Sequence, residues 1–184
     1  MMNYIHYVKA LYPQQSCQNL IKWFNDNKNL QHEGRQGDHQ SLNNKEIGLH
    51  LKQGEDFYGL GTALKKGVKN FNLNYSHINK HLFTWKLDLF MQLMKYQPNQ
   101  YYKTIHCEND GSPGCSRRVF AWEIFLNDIK SGGGTKFIHQ KFTAQPIAGD
   151  FYMWPAGSTH LHQGVNAPQE EKYLVTGWCS FINP

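Results

Sequence analysis

The sequence lacks a run of about eighteen apolar residues, which argues against a membrane-spanning helix. Residues 1–15 have no apolar stretch behind a basic head, so we expect no signal peptide. The four cysteines form no C-x-x-C pair and no zinc-binding spacing. Reduced thiols in a cytoplasmic protein are therefore the expectation.

The sequence also lacks clusters of like charge, because no block of five or six like charges occurs. The formal net charge is +5, but the lysines are scattered along the chain. A net positive charge of this kind can increase solubility as well as promote binding to an acidic partner. We therefore do not expect a nucleic-acid partner.

The length and composition predict one domain over residues 1–184 with a core rich in aromatic side chains. Apolar spacing predicts a strand over 3–11 and a helix over 16–27 with Ser16 as its cap. Polar, Gly- and Asn-rich composition predicts a loop over 31–45. A second helix is predicted over 76–96 from a one-face apolar stripe. The stripe consists of Ile78, Leu82, Trp85, Leu89 and Leu93.

The pattern changes after residue 96, where short strand-like runs alternate with turn residues. The runs are YYKTIHCE, RRVFAWEIFLN, GTKFIHQ, KFTAQP, DFYMWP, THLHQG and KYLVTGWCSFI. Many short strands at this spacing favour a sandwich or a barrel. We expect residues 1–95 to be mainly helical support and residues 96–184 to form an all-β half, either a sandwich or a barrel.

A candidate metal site begins with His106 and Glu108. In an extended segment, residues two positions apart point to the same face, so both side chains can reach one point. A distant histidine, either His160 or His162, would complete a set of two histidines and one carboxylate. This set binds Fe(II) on one face and leaves open positions. Asp110 is a rival carboxylate.

Lys172 lies ten residues after His162 and opens an apolar run. A lysine buried at the start of a strand is costly unless it meets an anion. The alternative is an exposed lysine at a strand end, since two glutamates precede it.

Taken in order, these motifs resemble the Fe(II)/2-oxoglutarate-dependent oxygenases, most closely the prolyl 4-hydroxylase type. The segments that carry the resemblance are YQPNQYYKTIHCEND, RRVFAWEIFLNDIKSGGGTKF, QPIAGDFYMWP and HQGVNAPQEEKYLVTGW. The resemblance covers roughly residues 96–179. It implies an α+β fold in which a double-stranded β-helix, a cupin-like jelly-roll barrel, is buttressed by N-terminal helices.

The resemblance also implies roles for individual residues. His106, Glu108 and His162 would be the metal ligands and the catalytic centre. His160 would then point away or support them. Lys172 would hold the far carboxylate of 2-oxoglutarate.

Further roles are implied around these ligands. Tyr96 and Thr176 would help to bind the co-substrate, and Arg118 would contact the substrate. Phe125 stands where the family often has a tyrosine that binds the co-substrate carboxylate. Because phenylalanine cannot donate a hydrogen bond, Thr135, Thr176 or water would have to assist Lys172.

The implied activity is hydroxylation of a C–H bond, most simply in a prolyl residue of a peptide or protein, with formation of succinate and CO2. Fe(II), 2-oxoglutarate and O2 are implied, with ascorbate as a candidate further cofactor. The alternatives are an oxygenase of the same fold that acts on a small molecule or a nucleic acid, and a non-catalytic metal-binding barrel that serves as an interaction module.

Overall fold

The computed structural model describes residues 3–34, 44–52 and 55–182. The helices are α1 (Gln14–Asp26), α2 (Leu60–Asn74) and α3 (Ser76–Asn79). Single 3-10 turns span Lys28–Leu30, Phe57–Gly59 and Ser158–His160. The early strands are β1 (His6–Val8), β2 (His32–Glu33), β3 (Lys45–His50) and β4 (Trp85–Tyr96). The later strands are β5 (Arg118–Phe125), β6 (Thr135–Phe137), β7 (Phe142–Ala144), β8 (Phe151–Pro155), β9 (His162–Gly164) and β10 (Lys172–Phe181).

The strands form two antiparallel sheets. The larger has seven strands in the order β1-β8-β5-β10-β4-β3-β2, and the smaller has three in the order β7-β6-β9. Helices thus combine with antiparallel sheets, as the α+β prediction requires. Within the described ranges, no helix is long and apolar enough to cross a membrane.

Two apolar clusters correspond to the two faces of the larger sheet. The helices cover one face, where Leu64 and Phe71 of α2 join Trp122 and Phe151 in the outer core. The other face meets the smaller sheet, and there the inner core includes, among other residues, Tyr96, Phe125, Phe137, Trp154 and Trp178. Alternate residues of one strand therefore enter different cores.

Gly67 allows α2 to lie close to the larger sheet. A Cβ atom at this position would come 2.8 Å from Leu11 Cδ2 and 2.9 Å from Phe151 Cζ. Such distances are shorter than apolar contacts allow. An alanine at position 67 would therefore require Leu11 or Phe151 to shift.

The predicted helix over 76–96 is wrong. Only α3 at its start is helical, and residues 85–96 form β4, a strand of the larger sheet between β3 and β10. Trp85, Leu87, Met91 and Leu93 contact the outer core on one side of the strand. Apolar residues on both faces of an inner strand also satisfy the helical spacing, so periodicity alone could not separate the two.

Other local predictions met mixed outcomes. The strand and the helix predicted near the N-terminus are present as β1 and α1. Residues 35–43 of the predicted loop lie outside the described residues, and its flanks form strands β2 and β3. The long helix α2 was not predicted, and the strands β3 and β4 show that residues 1–95 are less helical than expected. The predicted strand over 101–108 is an extended segment with one isolated bridge at His106.

Candidate active site

Two candidate ligands are joined through their main chains. His106 and His162 form an isolated antiparallel bridge, with N–H···O distances of 3.0 Å and 2.9 Å. Glu108 follows on the same extended segment, and its amide donates to the Ala156 carbonyl oxygen at 3.0 Å. Backbone hydrogen bonds therefore fix both halves of the site.

The two imidazoles present the same nitrogen to Glu108. His106 Nε2 and His162 Nε2 each lie 3.4 Å from Glu108 Oε1. The opposite nitrogens contact main-chain oxygens: His106 Nδ1 is 3.0 Å from the Thr104 oxygen, and His162 Nδ1 is 2.8 Å from the His160 oxygen. Because a carbonyl can only accept, each Nδ1 carries the hydrogen and each Nε2 is available as a metal ligand when the ring is neutral.

Glu108 is held by further donors on its other oxygen. Trp178 Nε1 donates to Glu108 Oε2 at 2.7 Å, and Arg118 Nη1 lies 3.3 Å from the same atom. Burial alone would raise the pKa of Glu108, but the hydrogen bonds and charges of the two histidines outweigh it and hold the pKa well below its usual range. The carboxylate is therefore ionised, as a metal ligand must be.

The positions and donor atoms of these three side chains suit the binding of one metal ion. One ligand atom from each of His106, Glu108 and His162 lies within 4.8 Å of the other two. Two neutral imidazoles and one carboxylate on one side of a site are the donor set of non-haem Fe(II). Arg118 and Trp178 supply the outer contacts that orient such ligands.

The ligand set opens into a cavity of about 370 Å³ between the sheets. The cavity is lined by residues of both sheets and of the segment between β4 and β5. Its polar lining residues include Glu46, Gln92, His106, Glu108, Arg118, Glu123, Thr135, His162, Lys172 and Thr176. A volume of this size suits a small organic ligand.

Lys172 is buried in this cavity, with 4% of its surface exposed. It pairs directly with Tyr96 across β10 and β4, and its Nζ lies 4.6 Å from the centre of the Tyr96 ring. Burial lowers the pKa of Lys172 to about 8, although the charge of Glu123 opposes this effect. The structure thus brings Lys172 and Tyr96 together, and Lys172 is not the exposed strand-end lysine of the alternative interpretation.

Thr176 and Arg118 also line the cavity, but both already have partners. The Thr176 hydroxyl donates to the Trp122 carbonyl oxygen at 2.7 Å. The Arg118 guanidinium stacks on the Trp178 ring at 3.7 Å in addition to its contact with Glu108. Their predicted roles in binding co-substrate and substrate remain predictions.

The two rival ligands lie outside the cluster. His160 is buried, with Nδ1 3.0 Å from Thr159 Oγ1 and Nε2 2.9 Å from the Asn3 oxygen. Asp110 Oδ1 accepts from the Ser112 amide at 2.8 Å and from Cys115 Sγ at 2.9 Å. Neither residue belongs to the group of three that could share a metal ion.

Sequence reasoning missed two buried acids that line the cavity, Glu46 and Glu123, and one orienting contact. Glu123 is 3% exposed and accepts a hydrogen bond from Thr135 Oγ1 at 2.8 Å. A charged residue inside the apolar run VFAWEIFLN is a signal that could have identified it. The hydrogen bond from Trp178 to Glu108 joins residues 70 positions apart in the sequence and could not be predicted.

Comparison with known proteins agrees with this geometry. The family model that describes the 2OG-Fe(II) oxygenase superfamily matches residues 91–180 of this sequence. A protein of Acanthamoeba polyphaga mimivirus named "Putative prolyl 4-hydroxylase" is 33% identical over 108 residues, which are 48% of this chain and 43% of the relative. The match thus spans less than half of that relative's length.

Solved structures share the fold along nearly the whole chain. A viral collagen prolyl hydroxylase from Paramecium Bursaria Chlorella virus-1, in complex with 2OG, has a TM-score of 0.74 at 17% identity and covers 97% of each chain. A Pseudomonas putida prolyl-4-hydroxylase has a TM-score of 0.71 at 15% identity and covers 96% of this chain and 92% of its own. A Trichoplax adhaerens prolyl hydroxylase, in complex with a peptide fragment of the hypoxia inducible factor oxygen degradation domain, has a TM-score of 0.72 at 13% identity and covers 97% and 84%.

The fold of these neighbours confirms the predicted double-stranded β-helix. The family match also covers every residue of the cluster and of its outer contacts. Residues 91–180, which carry the cluster, thus match the 2OG-Fe(II) oxygenase superfamily, and the curated relative and the structural neighbours to which the chain is similar are of the prolyl 4-hydroxylase type.

Proposed function

We propose that the chain is an Fe(II)- and 2-oxoglutarate-dependent dioxygenase that hydroxylates a prolyl residue in a peptide or protein, with formation of succinate and CO2. One observation carries the proposal. A single cavity is lined both by the cluster of His106, Glu108 and His162 and by the buried cation Lys172. A metal-binding set and a buried cation in one cavity suit a co-substrate that chelates a metal and carries a second carboxylate.

His106, Glu108 and His162 would hold the Fe(II). When bound with 2-oxoglutarate, the metal supplies the activation of O2 that hydroxylation of a C–H bond requires. The protein supplies position: the bridge between the two histidines fixes the ligands, while Trp178 and Arg118 orient Glu108. No general base is needed for this chemistry.

Lys172 would pair with the far carboxylate of 2-oxoglutarate. A charge-assisted hydrogen bond is strong in a site from which water is excluded. The ring of Tyr96 lies beneath the ammonium group and supports the cation through its face. Thr176 lines the same part of β10 and completes the predicted co-substrate side.

A peptide substrate is favoured by the aromatic surface beside the cavity. The rings of Phe90 and Trp178 stack with centroids 6.2 Å apart, and Phe90 is 39% exposed. Arg118 lies on the Trp178 ring and could donate to a peptide carbonyl oxygen. The neighbour from Trichoplax adhaerens, which is bound to a peptide fragment, supports this substrate class.

Two further expectations belong to the proposal. All four cysteines are free, which supports the prediction of a cytoplasmic protein. Ascorbate as an additional cofactor stays a prediction.

The proposal is tested by incubating the protein with Fe(II), 2-oxoglutarate and a peptide library that includes prolyl sequences. We expect succinate release together with a mass increase of one oxygen atom on a prolyl peptide. If only nucleic acids or small molecules stimulate succinate release, the proposed peptide substrate is wrong and one of these classes is the substrate. Absence of both signals from metal-loaded protein would contradict the proposed activity.

A further inference from the structure

A buried carboxyl group faces the cavity without a full set of partners. Glu123 lies on β5 two residues before Phe125, on the face of the strand that meets the inner core. Its Oε2 accepts from Thr135, but its Oε1 is buried and has no hydrogen-bond partner among the described residues. Buried polar atoms are nearly always paired, so this oxygen points to a ligand that the cavity receives.

The donors around this position are already engaged. The Thr135 hydroxyl donates to Glu123 itself, and the Thr176 hydroxyl donates to the Trp122 carbonyl oxygen. Phe125 has no donor. The Tyr96 hydroxyl donates to Met94 Sδ at 3.4 Å. Among the described residues, Lys172 is therefore the one predicted co-substrate side chain that offers a free donor to an incoming carboxylate. An ionised Glu123 nearby would repel that carboxylate.

Glu123 is poised to change its protonation state near neutral pH. Burial raises the pKa of Glu123 to about 7, against the opposing hydrogen bond from Thr135 and the charge of Lys172. Titratable groups face it from every neighbouring element. They are Lys172 on β10, Tyr152 on β8, Tyr96 on β4 and Glu108 on the segment before β5.

We infer that Glu123 is a co-substrate-binding residue, which in its protonated form donates a hydrogen bond from Oε1 to the far carboxylate of 2-oxoglutarate, beside Lys172. This inference rests on the proposed function and adds a second donor to it. Binding then takes up one proton from solvent onto Glu123, because the ionised carboxylate cannot donate. Thr135 keeps its bond to Oε2 in both states.

The expected consequence is a defined dependence of affinity on pH. Above the pKa of Glu123 in the ligand-free protein, the protonated fraction of Glu123 falls by up to about tenfold per pH unit. The Kd for 2-oxoglutarate therefore rises by up to about tenfold per unit. Below that pKa the affinity is independent of Glu123. If Glu123 served only to neutralise Lys172, Glu123 itself would take up no proton.

Calorimetric titration of 2-oxoglutarate into the Mn(II)-loaded full chain tests this directly. Proton uptake is counted at about pH 8, above the Glu123 pKa of about 7, in two buffers of different ionisation enthalpy. The Lys172→Arg variant removes the titration of the lysine, because a guanidinium stays charged. We expect the Lys172→Arg variant to take up close to one proton when it binds 2-oxoglutarate.

Adding Glu123→Gln to the Lys172→Arg variant provides the matched control. The amide can donate but does not titrate, so we expect binding without proton uptake and, at about pH 6, a Kd within a few-fold of the single variant. Uptake that is absent in Lys172→Arg, or unchanged by Glu123→Gln, would overturn the inference.

If the variants do not fold, infrared difference spectra of the wild-type protein provide a test that needs no substitution. At about pH 8, adding 2-oxoglutarate should produce a protonated-carboxyl C=O band, and its absence overturns the inference. If the wild-type Mn(II) protein binds no 2-oxoglutarate at all, the proposed function itself fails. Binding without the band contradicts only the role of Glu123.

Discussion

The main chains of His106 and His162 hydrogen-bond to each other in both directions, at 3.0 Å and 2.9 Å. The two proposed ligands are therefore held at one place by the backbone, independently of their side chains. Truncating either imidazole leaves this bridge in place. Metal binding and folding should consequently respond differently to substitutions at these positions.

His106→Ala and Glu108→Ala should each abolish stoichiometric binding of Fe(II) or Mn(II), while the wild-type chain binds one ion. Each change leaves two of the three ligands, and the backbone bridge keeps the fold. Metal content after loading and desalting measures the outcome, with circular dichroism as the check on folding. Full occupancy in both variants would remove this cluster as the metal site.

His162→Ala should abolish turnover, whereas His160→Ala should retain measurable activity. His160 has no place in the cluster, but it is buried and bonds to Thr159 and Asn3. Its removal should lower the free energy of unfolding by about 1–3 kcal/mol. Succinate release and denaturant unfolding separate the two effects, and the reverse pattern of activity would refute the ligand assignment.

Trp178→Phe should weaken metal binding by about 10- to 100-fold, because the indole donates to Glu108 at 2.7 Å and orients it. The matched control is Trp122→Phe, since the Trp122 indole nitrogen is buried in the outer core and has no hydrogen-bond partner within the described ranges. That control should lose stability but keep its metal affinity. Equal metal affinity of Trp178→Phe and wild type would show that this hydrogen bond has no orienting role.

Gly67→Ala should destabilise the fold by about 1–3 kcal/mol, because its Cβ would crowd Leu11 and Phe151 beneath α2. Gly157→Ala is the control, since no atom of the part of the chain that the structure describes lies within 4 Å of a Cβ atom at that position. Denaturant unfolding of both variants measures the difference. A Gly67→Ala protein as stable as the control would mean that α2 can move away from the sheet.

Much of the β-rich half could be predicted because its strands are short and separated by turn residues. The turn at Gly132 illustrates this: its φ is +75°, and a Cβ there would lie 1.8 Å from the Asn166 oxygen. Such a turn is available only to glycine and is visible in the sequence. The spacing of His106 and Glu108 indicated that these two side chains share one face, whereas the choice of His162 over His160 depended on the family resemblance.

Other features depend on tertiary contacts that no local pattern reports. β4 is a strand because β3 and β10 pair with its two edges, although its apolar residues also fit a helix. The partners of Glu123 and Trp178 lie on strands or segments distant in sequence. Hydrogen bonds of this kind arise from register between strands, which the sequence does not display.

The most direct test of the account is an anaerobic titration of 2-oxoglutarate into the Fe(II) protein, followed by the metal-to-ligand absorbance band. We predict a saturable band in the wild type. In Lys172→Ala, iron binding should survive, but the far carboxylate would lose its buried partner, at a cost of roughly 3–5 kcal/mol. The 2-oxoglutarate requirement should then rise by about two to three powers of ten, at 1.4 kcal/mol per decade, with partial recovery in Lys172→Arg. No band in the iron-loaded wild type, or an unchanged affinity in Lys172→Ala, would contradict the account.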